Sequence, residues 1–184
     1  MADRDRWGFT PEQAETVRAS LQRRTVTTDR DGLRGLDRVE IEVIEGLEYR
    51  AGNPHEAGRM RIGEPADRGG TGEGSSPLSH VLAGAASRLL NQFIRNSLVD
   101  GLPVRFTGAA TKGEFSRAVG GGFERITTEI RGEGELSDAQ ARALLERAEQ
   151  LCYIHVTLRK AVQMTTVLVI DGRLVAQSQT GPGE

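Results

Sequence analysis

The chain has 184 residues, 24 Lys and Arg against 26 Asp and Glu for a formal net charge of -2, and a single cysteine. That length suits one domain with a terminal extension and a core built without disulfides or metals, and a lone thiol closes no disulfide within its own chain. Charges of both signs are interspersed, which argues against the basic stripe of a nucleic-acid binder, and no apolar run approaches the ~20 residues of a membrane helix.

The opening Met-Ala-Asp-Arg-Asp-Arg lacks the apolar core of a signal peptide, so a soluble cytoplasmic protein is expected. Thr10 before Pro11 reads as an N-cap and a first helical position, and Ala14, Val17 and Leu21 recur at helical spacing. A short helix over residues 11–23 follows, placed in an N-terminal extension covering 1–36. From Arg38 to Tyr49, Val39, Ile41 and Val43 alternate with charged residues, the pattern of a strand with one wet face. Met60 to Ile62 belong to another strand, and the Gly- and Pro-rich run from Glu64 to Pro77 is a loop.

A long helix is predicted from Leu78 to Leu98, with Leu82, Ala86, Leu89, Phe93 and Ser97 on its core face and Gly84, Ala85, Arg88, Asn91, Gln92 and Arg95 on a small, polar one. Val104–Gly108 and Phe123–Ile130 alternate as two strands joined through Gly120-Gly121-Gly122. Ser137-Asp138-Ala139-Gln140 is a capping box, and the helix it starts carries Ala141, Leu144, Leu145, Ala148 and Leu151 on its apolar face. Met164–Ile170 is a β-branched strand, Asp171-Gly172 a hairpin signal, and Leu174–Ala176 its return. This order gives an α+β fold rather than an alternating one.

The residues Gly121-Gly122-Phe123-Glu124-Arg125-Ile126, the capped helix from Ser137, and Ala148-Glu149-Gln150-Leu151-Cys152-Tyr153-Ile154-His155-Val156-Thr157-Leu158 resemble the second half of the osmotically inducible protein C family, OsmC/Ohr. Upstream, Glu64-Pro65, Gly69-Gly70-Thr71 and Ser76-Pro77-Leu78, leading into the long helix, are similar to that family's approach to its first central helix. The resemblance implies an OsmC-like domain over 37–178 with a flexible tail at 179–184, antiparallel sheets wrapped around two long central helices, and an intertwined homodimer with sites at the subunit interface. In the family, one cysteine attacks a hydroperoxide and a second resolves the sulfenic acid as a disulfide. An arginine and a glutamate hold the first thiol. The resemblance maps the second cysteine onto Cys152 and the position of the first onto Arg88. It makes Arg61 the candidate for the family's arginine, finds Leu78, Ser79 and His80 where its glutamate is expected, and finds Tyr153 where proline usually follows the second cysteine. A guanidinium is no nucleophile, so two-cysteine peroxidase chemistry is not expected.

Two readings stand for each candidate residue. Arg88 is an anion clamp for a carboxylate, phosphate or sulfonate, or else an ordinary arginine on a polar stripe or one paired to a glutamate across the dimer. Cys152 is a nucleophile activated by Arg88 with His155 as base, or a small buried hydrophobe continuing the stripe of Leu145 and Ala148. With Arg61, His80 and Tyr153 as binding residues, the site takes a small, anionic or electrophilic molecule and acts on it, or binds it without catalysis, or Cys152 works as a one-cysteine peroxidase with an external thiol. Three scattered His and one Cys show no metal-ligand spacing, and neither Gly-rich loop has a phosphate-loop context, so no metal or cofactor is expected.

Overall fold

Helix boundaries are set locally. In a computed structural model, which describes residues 5–26 and 37–182, Thr10 and Gln13 exchange capping bonds at the start of α1 (Pro11–Val26). Ser76 Oγ accepts from the backbone N–H of Ser79 (3.2 Å), with Pro77 opening α2 (Pro77–Asp100). That helix ends where Gly101 adopts φ +63° and the N–H of Leu102 returns to the Ser97 carbonyl (3.0 Å), a left-handed turn that glycine enters without a Cβ clash. In α3 (Asp138–Leu151), Ser137 and Gln140 form the complete capping box. The segment after it turns once more as α4 (Tyr153–Leu158).

The chain divides into two units, each with its own sheet: Met1–Val26 with Gly84–Glu184, and Thr27–Ala83. The second holds an antiparallel sheet in the order β1 (Glu40–Glu45), β2 (Glu48–Gly52), β3 (Met60–Gly63). The expected single strand from Arg38 to Tyr49 is therefore a hairpin, because Gly46 at φ +48° reverses the chain between β1 and β2. In this unit all of β1 is exposed rather than wet on one face.

The first unit holds β4 (Val104–Phe115), β5 (Phe123–Gly134), β6 (Gln163–Ile170) and β7 (Arg173–Thr180) in that order. Pairing is antiparallel except between β5 and β6, which run parallel because α3 and α4 carry the chain back to the start of the sheet. β6 alternates half-buried and buried residues along its whole length. Its buried side packs with Leu89 and Phe93 of α2, Leu144, Leu145 and Ala148 of α3, and Cys152 into one core. Phe93 meets Phe106 edge to face at 5.6 Å. Asp100 at the end of α2 receives a two-pronged bond from Arg147 of α3 (3.0 and 2.5 Å). β7 runs to Thr180, two residues into the stretch expected as a tail, and the last two residues lie outside those described.

Candidate functional site

Cys152 closes α3 and opens α4, and its position four residues after Ala148 carries the apolar stripe of α3 into the core. Its side chain has no exposed surface. Burial pushes the thiol above its ordinary pKa. The backbone N–H of His155, which bonds the sulfur, and the charge of Arg88 oppose that shift without overcoming it, so the protonated form prevails near neutral pH.

Arg88 is half-buried on α2, and its guanidinium lies over the Tyr153 ring with 5.4 Å to the centroid. With the Gln92 amide oriented so that its oxygen faces the guanidinium, both terminal nitrogens of Arg88 donate to it, the farther at 3.1 Å. Ala85 and Gln92, placed by the helical spacing on the polar stripe, are both buried, so the wet stripe is narrower than expected. Tyr153 is 60% exposed. Arg88, Cys152, Tyr153 and His155 thus belong to one locality, built by α2 and the α3–α4 junction.

The His155 ring makes no hydrogen bond to the thiol. It is buried at 2% exposure, with Nε2 3.1 Å from Thr180 Oγ1 and 3.8 Å from Glu149 Oε1, while Nδ1 has no hydrogen-bond partner. Burial holds its pKa below the ordinary value, Glu149 opposing and Arg159 adding to the shift, so the ring is neutral near pH 7. Glu149 itself is buried at 5% exposure and accepts a short bond from Ser178. The sequence reading passed over Glu149. Its signal was a carboxylate four residues after Leu145, at the margin of the apolar stripe, where an acid needs partners.

The other two candidates lie in the second unit. Arg61 on β3 donates to Glu48 and pairs with Glu73. Glu48 is fully buried on β2 and also accepts from Thr71 Oγ1 at 2.7 Å. The bonds from Arg61 and Thr71 outweigh its loss of solvent and hold its carboxyl below the usual range, while Glu48 raises Arg61 in return. Glu48 left no trace in the sequence because a distant loop residue, Thr71, completes its shell. His80 is engaged in the first turn of α2, its Nδ1 3.0 Å from the Ser76 carbonyl. Among the described residues no group of three His, Cys, Asp or Glu side chains is placed to hold a metal ion, and no helix is long and apolar enough to cross a membrane.

The fold and the site define an α+β protein with a lone core thiol beside a guanidinium–aromatic pair. The OsmC-like protein family model matches residues 70–167, and the chain belongs to that family. No curated protein matches the chain. Among solved structures it is similar to an OsmC-like protein of Mycoplasma pneumoniae (14% identity over 75% of this chain and 99% of that one, TM-score 0.61). It is similar also to the organic hydroperoxide resistance protein OsmC of Legionella pneumophila (16%, 74% and 96%, TM-score 0.54). The organic hydroperoxide resistance protein OhrB of Bacillus subtilis is a further match (17%, 73% and 98%, TM-score 0.53). At these identities the likeness is one of fold.

Proposed function

We propose that this OsmC-family chain has left two-thiol hydroperoxide reduction and uses the Arg88–Tyr153 locality as a specialised small-molecule site for an acidic ligand. The observation that carries the reading is the pairing of a buried thiol, protonated near neutral pH, with a half-buried guanidinium stacked on an exposed ring. The chain has one cysteine, so a disulfide that resolves a sulfenic acid needs a thiol from another molecule. A planar fork backed by an aromatic face suits a carboxylate, phosphate or sulfonate. Binding is favoured over catalysis, because the two groups offered as nucleophile and base, Cys152 and His155, are both buried. One-cysteine peroxidase action needs a thiolate that this burial disfavours.

The protein acts as a homodimer in this reading. Val39 just ahead of β1, Ile41 and Val43 on β1, and Met60 on β3 expose apolar side chains to water in the single chain, Ile41 by 66%, a face that calls for a partner. A cytoplasmic setting accords with a lone reduced thiol, and residues 1–36 form an extension to the domain.

Calorimetric titration of the full chain with benzenesulfonate and with inorganic phosphate tests the site. Saturable binding that weakens at least tenfold in Arg88→Gln, and is unchanged in Cys152→Ala, is the expected result. Binding indifferent to Arg88, or no binding of either anion by the folded protein, contradicts it.

A further inference from the structure

Gln92 lies one helical turn after Arg88 on α2, and long side chains on a helix lean back toward its N-terminus, so the amide reaches toward the guanidinium. Gln92 has no exposed surface, and Leu89 and Phe93 beside it on the helix are core hydrophobics. An apolar residue at this position would be buried at no polar cost, so a sealed amide needs partners. The guanidinium of Arg88 is one of them: with the amide oxygen turned to it, both terminal nitrogens donate to that oxygen. The backbone carbonyl of Gln92 accepts from Asn96 Nδ2 at 2.7 Å, a second buried amide one turn further on. Arg88 is thus the half-buried end of a polar row that steps along α2 every four residues.

Two consequences follow for Arg88, one of charge and one of shape. Gln92 is neutral, the Tyr153 ring is neutral, and among the described residues no carboxylate pairs with the guanidinium. The cation is held in place and left uncancelled, a state that an anion completes. An oxygen shared by the two terminal nitrogens occupies the end of the guanidinium. That leaves the edge containing Nε as the one on which a two-oxygen group can form parallel bonds. Nε itself has no hydrogen-bond partner among the described residues and is not sealed from water.

We propose that Gln92 is the positioning and selectivity residue of the Arg88 site: a neutral anchor that holds the guanidinium by its end, preserves its charge, and offers its Nε edge to a carboxylate or sulfonate. The inference rests on the anion reading of Arg88 and adds to it the edge that binds and the residue that selects it.

Calorimetric titration of the full chain with benzenesulfonate compares the wild type with Gln92→Glu and Gln92→Met. Gln92→Glu keeps the shape and the acceptor but adds a charge that cancels the cation. It is expected to bind at least tenfold more weakly while its melting temperature is not lowered. A purely structural role would move affinity and stability together. Gln92→Met keeps the length and the neutrality and removes the acceptor, so the guanidinium is released from its anchor. Benzenesulfonate is then expected to bind about threefold more weakly or worse, with circular dichroism reporting an intact fold. Iodide, a sphere that needs the charge and no paired edge, is expected to compete equally well in the wild type and in Gln92→Met. That variant decides the matter where Gln92→Glu fails to fold. Wild-type affinity in either folded variant overturns the inference and leaves Arg88 as the site, as does a loss of affinity in Gln92→Glu matched by a loss of melting temperature, or a parallel loss of iodide and benzenesulfonate in Gln92→Met. No saturable binding by the wild type, or equal binding by Arg88→Gln, overturns the anion reading itself, and the inference with it.

Discussion

Cys152 sits under two opposed influences. The cation of Arg88 and a backbone N–H favour its thiolate, and complete burial favours the thiol by more. The sequence already offered this outcome, because a residue four positions after Ala148 continues a helical stripe wherever its chemistry lies. The orientation of His155 was not legible in the same way. Its ring is taken up by Thr180 of β7 and by Glu149, partners 25 and 6 positions away, and only the packing of β7 on α3 brings them together. His155 gives a pH signature. Its pKa in the folded chain is depressed below the ordinary 6.5, so the unfolded chain takes up the proton first as pH falls. Stability contributed by the neutral ring is therefore full above about 6.5 and declines below it, down to the folded-state pKa. Chemical denaturation between pH 7.5 and 5 should show this slope in the native protein and a flatter one in His155→Phe. Equal slopes in the two would remove the burial argument.

Helices were the most legible elements because their ends are written in a few consecutive residues. Ser137 and Gln140 form the capping box that their spacing announced, satisfying two backbone donors that the first turn leaves open. Ser137→Ala is expected to cost about 1 kcal/mol and to lower the melting temperature by about 2–4 °C, with no effect on anion binding at Arg88. A loss of binding without a loss of stability would tie that cap to the site. Strand pairing was less legible. The parallel partnership of β5 and β6 joins residues about 38 apart through α3 and α4, and nothing local in either strand encodes it. The hairpin at Gly46 was obscured for a different reason: Arg38 to Tyr49 read as one alternating strand because the turn takes only two residues, Gly46 and Leu47.

The α+β class, the order of its elements and the family were readable from the sequence, since they rest on helix caps, hydrophobic period and a run of motifs spread along most of the chain. The two-unit division was not, because α2 continues unbroken past the boundary after Ala83. The β1–β2–β3 sheet, with its apolar side chains in water, carries the homodimer reading. Replacing Ile41 and Val43 together by Lys should convert a sedimenting dimer to a monomer, whereas a native protein already monomeric would contradict it. The proposed departure from thiol peroxidase chemistry is tested most directly by exposing the reduced full chain to stoichiometric cumene hydroperoxide and following Cys152 by intact and peptide mass spectrometry, with and without dithiothreitol. The buried, protonated thiol predicts an unmodified cysteine over minutes and peroxide consumption no faster than dithiothreitol alone. Rapid gain of one oxygen at Cys152 or a disulfide formed through it, with turnover sustained by the added thiol, would contradict the account.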